Sequence, residues 1–168
     1  SEAAMTTAEP IHSNEILQTF FDTAPVAIAV LRISHGQENA AADFVILGFN
    51  PCAERVTGLN SARVVGKRCR QVFPSAAVND LLERFAAVAA TGAAADFEQC
   101  CEGEGMRRWF HVIAVRQGDV LIVSAADITA QKTVERELLA AQAVQAQQAT
   151  ERYRLLFNSP LPRAQAVA

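Results

Sequence analysis

The chain has 168 residues, a formal net charge of −3 and 51% apolar residues. That length allows one domain of ~100–150 residues with its own core, plus appendages. The slightly acidic balance argues against a nucleic-acid binder, and no apolar run in the sequence approaches the ~20 residues needed to cross a bilayer.

Residues 1–10 read as a disordered tail or tag remnant, and no signal peptide opens the sequence. Ile16, Leu17, Phe20 and Phe21 recur at helical spacing, which predicts an amphipathic helix over 13–23 with Ser13 as its cap. After Pro25, VAIAVLRI predicts a strand over 26–33; a polar loop follows over 34–41, and DFVILGF predicts a second strand over 43–49. Asn50 then caps a helix that starts at Pro51, where the missing N–H costs nothing, and ends at Gly58. A further short helix is expected over 62–65, capped by Ser61 or Asn60 and closed by Gly66. Ser75 caps a longer helix over 77–90, with Val78, Leu81, Leu82, Phe85 and Val88 on one face and Gly92 at its end. Three strands are predicted over 95–101, 107–116 and 120–126, the last two joined by a tight turn at Gln117 and Gly118.

The strands are almost continuously apolar. An antiparallel sheet reads that way when both of its faces are covered. The central helices can cover one face; the other calls for the N-terminal helix, a partner subunit, or both. From 129 to 157 the chain is nearly without Gly and Pro and reads as one long helix. Val134, Leu138, Leu139, Val144, Tyr153 and Leu156 do not hold a strict heptad, so a weak or adjustable coiled coil is expected, with Val134 and Leu138 in the dimer contact. The predicted fold class is therefore α+β: a five-stranded antiparallel sheet with short helices on one face, an N-terminal helix and a long C-terminal helix. LLFNSP at 155–160 echoes FFDTAP at 20–25, as though a following, truncated domain began within 158–168, a stretch expected to be disordered.

Cys52, Cys69, Cys100 and Cys101 contain no C-x-x-C pair and no histidine at ligand spacing, so no metal site is expected. Reduced thiols in a cytoplasm are the default reading. Adjacent Cys100 and Cys101 should point to opposite faces of a strand, one buried and one exposed. No nucleophile–base pairing, paired acidic motif or Gly-rich phosphate loop appears, so no enzymatic activity is expected.

The segments FFDTAP, GFNPCAERVTG, VVGKRCRQVFP, WFHV and SAADITAQK occur in an order that resembles the PAS sensory-domain family. That family pairs an N-P-A-x-x-x-x-T-G segment after its second strand with an R-D-I-T-E-R-K exit from its last. The resemblance spans about 11–132, placing a PAS domain at 11–128 and a signalling helix at 129–157. It implies a five-stranded antiparallel sheet whose small helices cup a pocket, used in sensing, dimerisation and relay to a histidine kinase or cyclic-dinucleotide enzyme. Neither effector lies in this sequence.

GKRCRQVF, at 66–73, is similar to the G-R-N-C-R-F-L-Q motif of LOV photoreceptors, in which cysteine adds to excited flavin. Cys69 and Arg70 match, but Arg68 replaces the asparagine and His111 stands where that subgroup has a flavin-binding asparagine, so flavin is disfavoured. Haem is disfavoured too, because the helix over 77–90 holds no histidine. The candidate pocket residues are Cys69, Leu82, Phe85, Trp109, His111 and Ile113, the last three sharing one strand face. Asp127, Ile128 and Thr129 are the candidate relay from sheet to helix, with Asp127 and Thr129 able to cap it. The expected whole is a cytoplasmic homodimeric sensor of a small molecule; the alternative is a ligand-free dimerisation module.

Overall fold

The computed structural model describes residues 14–34, 43–73, 76–103 and 105–157. Elements run in the order α1 (Asn14–Thr23), β1 (Ala27–Ile33), β2 (Phe44–Phe49), α2 (Pro51–Thr57), α3 (Ser61–Val64) and α4 (Cys69–Val72). They continue as α5 (Ala76–Thr91), β3 (Ala95–Gly103), β4 (Met106–Gln117), β5 (Val120–Asp127) and α6 (Thr129–Phe157). The expected caps Ser13 and Ser75, the tail over 1–10 and the segment 158–168 lie outside the described residues.

The five strands form one antiparallel sheet in the order β2-β1-β5-β4-β3. The first and last strands therefore meet at the centre, where β1 lies beside β5. One face carries Ala27, Leu31, Phe110, Val112, Ala114, Leu121 and Val123, all buried, under α2 to α5. Leu82, Phe85 and Val88 of α5 close on this face, and the rings of Phe44 and Phe85 meet edge to face at 6.2 Å. Arg84 adds its guanidinium 4.4 Å above the Phe97 ring.

Local chemistry sets the boundaries. Asn50 caps α2 with its side chain on the Ala53 N–H, Pro51 fills the first helical position, and Gly58 ends the helix in the left-handed region at φ 73°. Asn50 is wholly buried and all the bonding capacity of its amide is used: Oδ1 accepts from Ile28 and Ala53, and Nδ2 donates to the carbonyls of Phe21 and Val26. One side chain thus ties the end of α1 and the start of β1 to the start of α2. The loop between β4 and β5 is Gly118 and Asp119, since Gln117 pairs with Val120; the turn sits one residue later than expected.

The short α4 was not legible in the sequence. It forms because residues 66–68 pair with the edge of β2: Gly66 N–H donates to Ile46, Ile46 N–H to Lys67, and Arg68 bridges Val45. Asp43 Oδ1 then accepts from the Arg70 N–H, and Gln71 reaches back to the Arg68 N–H. Tertiary pairing makes this turn, not local propensity.

The outer sheet face is less covered than the continuous apolar runs suggested. Leu47, Val115 and Ile122 remain exposed there, and Ile16, Leu17 and Phe20 of α1 are exposed as well. Phe21 of α1 does approach the sheet; its ring lies 3.4 Å from where a side-chain carbon on Gly48 would stand.

The chain divides into two compact units between Ile128 and Thr129. The second contains α6, 29 residues long and without a buried residue. Lys132 pairs with Glu135 at 3.4 Å along it, and the rings of Tyr153 and Phe157 lie 4.5 Å apart. No helix among the described residues is long and apolar enough to cross a membrane.

Candidate functional site

Alanines create the space for a site. Ala27 and Ala125 face each other across β1 and β5, Ala29 lies two residues on, and Ala53 of α2 stands opposite the sheet. Because these side chains stop at Cβ, the helices over the sheet leave a cavity of about 260 Å³. Leu31, Ile46, Phe49, Phe110, Val112 and Val123 extend its apolar wall from the strands. Phe73, Val78, Leu81, Leu82 and Phe85 close it from above, and Thr57, Cys69, Gln99 and Cys101 complete a lining whose exposed surface is apolar. Among the described residues, no charged side chain lines it.

Of the candidate pocket residues, Cys69, Leu82 and Phe85 line the cavity. Trp109, His111 and Ile113 do not, and the expectation for them is corrected. β4 places Phe110, Val112 and Ala114 inward, so the alternate residues stand on the outer face. There His111 Nε2 lies 2.5 Å from Asp96 Oδ1 on the neighbouring strand. β4 is apolar in both phases and could not reveal its inner side. β3 could have: Asp96, Glu98 and Glu102 alternate with Phe97, Gln99 and Cys101, so their antiparallel partners, His111 among them, face outward.

Burial pushes the Cys69 thiol up to about 12, with the Asp43 carboxylate adding to the effect. Cys69 is therefore a neutral, weakly polar wall atom rather than a thiolate. Cys101 is also raised, by burial first and by neighbouring Cys100 second. The two adjacent thiols take opposite faces, Cys101 on the cavity side, yet both are half-buried.

The cavity adjoins a second, open groove of about 490 Å³, with which it shares Val56, Thr57, Cys101 and Phe110. Arg55, Gly58, Glu102, Gly103, Met106 and Arg108 complete that groove. Arg108 projects from the inner face of β4, opposite Cys101, and donates to the Val56 carbonyl near the end of α2 at 3.3 Å. Glu102 accepts two bonds from Arg107, at 2.5 and 2.9 Å, which push the Arg107 guanidinium above its usual range. Sequence reading missed this groove because it joins residues some fifty positions apart, which only the sheet register brings together.

Next to Arg108 on β4, the Trp109 carbonyl accepts the Ile128 N–H at 2.8 Å, which fixes the last residue before α6. Asp127 ends β5 opposite Phe110, and Thr129 opens α6, accepting from Thr133 Oγ1 at its carbonyl.

The PAS fold model matches residues 21–133, and the chain belongs to that family. No curated protein matches it. Among solved structures it resembles an RNA-binding light-oxygen-voltage receptor (22% identity, TM-score 0.56), covering 90% of this chain and 42% of the receptor. It also resembles the PAS domain of a protein from Colwellia psychrerythraea (14% identity, TM-score 0.52), covering 68% of this chain and 96% of that one. A third is the photoactive yellow protein domain of a sensor histidine kinase from Rhodospirillum centenum (20% identity, TM-score 0.52; 63% and 94% covered). The chain thus spans less than half of the first of these, and at such identities the likeness concerns the fold.

A flavin, as light-oxygen-voltage proteins use, does not fit this cavity. Among the described residues its wall lacks the several directed amides that the polar flavin edge requires, Gln99 being the one amide side chain there. The described histidine, His111, stands outside the cavity.

Proposed function

We propose that this chain is the sensory or regulatory module of a bacterial signal-transduction protein, cytoplasmic and non-enzymatic, that acts as a homodimer. A small molecule enters the cavity, and the change passes through Asp127, Ile128 and Thr129 into α6, which relays it to an effector such as a histidine kinase or cyclic-dinucleotide enzyme. On this reading the sensory unit is 11–128 and the signalling helix is 129–157. The observation that carries it is the alanine-floored cavity, walled by side chains from β1 to β5 and from α2, α4 and α5. Protein interiors pack with few gaps, and an apolar recess of this size between sheet and helices supports an occupant. A ligand shifts the equilibrium of the relay only if it prefers one arrangement of β4, β5 and the Ile128 junction over another.

A second reading, a ligand-free dimerisation module, is favoured by one observation: Phe20 of α1 is 69% exposed beside the exposed Ile16 and Leu17. Native mass spectrometry separates the two. A non-covalent adduct retained by the protein as purified, and lost when Ala125→Leu fills the cavity, supports sensing. No adduct, together with no change in melting temperature on adding 1-octanol, overturns it in favour of the ligand-free module.

A further inference from the structure

We propose that the cavity and its adjoining groove form one site for a small carboxylic acid, whose apolar body occupies the cavity and whose carboxylate meets Arg108 and Arg55. This rests on reading the cavity as a ligand site, and adds the chemical class of the ligand. The two spaces share Val56, Thr57, Cys101 and Phe110, so a molecule seated in the first can reach the second without crossing a core layer. Among the described residues the wall of the cavity carries no charged side chain and its thiols are held neutral, so its interior disfavours an ionic group. The groove offers the reverse environment. Arg55 and Arg108 line it, and among its described residues the acidic one, Glu102, is matched by Arg107.

Arg108 sits at the boundary. Its guanidinium has five N–H donors in a planar fork, and one is directed at the neutral Val56 carbonyl at 3.3 Å, a long bond. A carboxylate makes shorter, charge-assisted and bidentate bonds of about twice the strength, so it displaces that carbonyl. The exchange would release the end of α2 from β4, the strand whose Trp109 carbonyl holds Ile128. Ligand capture and the helix junction thereby act on neighbouring residues of one strand. The cavity of about 260 Å³ suits a short apolar chain, with the carboxylate at the mouth.

Sodium octanoate and 1-octanol are the probes, compared by isothermal calorimetry on the intact chain at pH 7.5. Octanoate should bind roughly tenfold more tightly than octanol, and raising the salt should weaken octanoate alone. Arg108→Gln should bring octanoate down to the octanol level without altering octanol binding, and Arg108→Lys should retain part of the preference. Arg55→Gln, at an exposed position, should lower octanoate binding severalfold, and it carries the test if Arg108→Gln melts early. Octanol binding as tightly as octanoate, or an octanoate preference untouched by both glutamine variants, overturns the carboxylate site and leaves the cavity reading standing. If neither probe binds, both fall.

Discussion

The side-chain oxygen of Asn50 accepts the main-chain N–H of Ile28 at 2.8 Å, fixing the strand that floors the cavity to the helix that roofs it. The same oxygen caps α2 through Ala53, while the amide nitrogen holds the carbonyls of Phe21 and Val26. Asn50→Ala leaves four main-chain groups without that partner, three of them at the α1–β1 connection. A loss of about 3–5 kcal/mol is expected in urea unfolding. Asn50→Asp keeps the two accepted bonds but sets a carboxylate against two carbonyls, so it should lose nearly as much. A loss below about 1 kcal/mol for either variant would remove Asn50 as the tie between these elements.

The cavity makes opposite predictions for its floor and its roof. Ala125→Leu adds apolar volume where there is space, and should leave stability unchanged or raise it by up to ~2 kcal/mol. Leu82→Ala enlarges an existing space from a residue only 1% exposed, and should cost about 2–5 kcal/mol. Thermal melts of the two variants decide the matter. A strong loss with Ala125→Leu would mean that the space over β1 and β5 is not open to an added side chain.

The same floor explains what could be read in advance. Helix starts and stops were legible because capping is local: Asn50 before Pro51, Gly58 at φ 73°, Gly92 after Thr91. The strands and the long α6 were legible from apolar runs and from the lack of breakers. The inward phase of β4 was not, because Trp109-Phe110-His111-Val112-Ile113 is apolar on both sides and period two gives no preference. Cys69, Leu82 and Phe85 could be named as candidates from a helix face and a motif. Ala27, Ala29 and Ala125 could not, since a cavity is made by what side chains lack. Arg108 and Val56 meet only through the register of β3 with β4 and the packing of α2.

Cys69 predicts a specific alkaline behaviour. Its folded pKa is raised from 9.0 to about 12, so the thiol form is favoured by folding. That contribution is fully present below about pH 9 and is lost as pH rises through 12, because the unfolded chain ionises first. Stability should fall by up to ~4 kcal/mol across that window, and Cys69→Val should flatten this part of the profile. Thiol titration at pH 8 gives an independent reading: Cys69, with roughly one thiolate in ten thousand, should react only on unfolding, while Cys100 reacts in the native state. Rapid native labelling of Cys69 would refute its burial.

The last prediction concerns α6. Val134 and Leu138, four residues apart on one helix face, are 63% and 57% exposed, and nothing in the helix itself buries them. A helix with a mostly exposed surface gains stability by pairing such positions with those of a second copy. Val134→Glu with Leu138→Glu would place four like charges at that seam and should weaken dimerisation by at least tenfold in sedimentation equilibrium. The cavity and Asn50 belong to the other compact unit, so the melting of the sheet unit should change little. Should the double variant sediment as the parent does, the α6 seam is dismissed, and exposed α1, with Ile16, Leu17 and Phe20, becomes the surface to alter next.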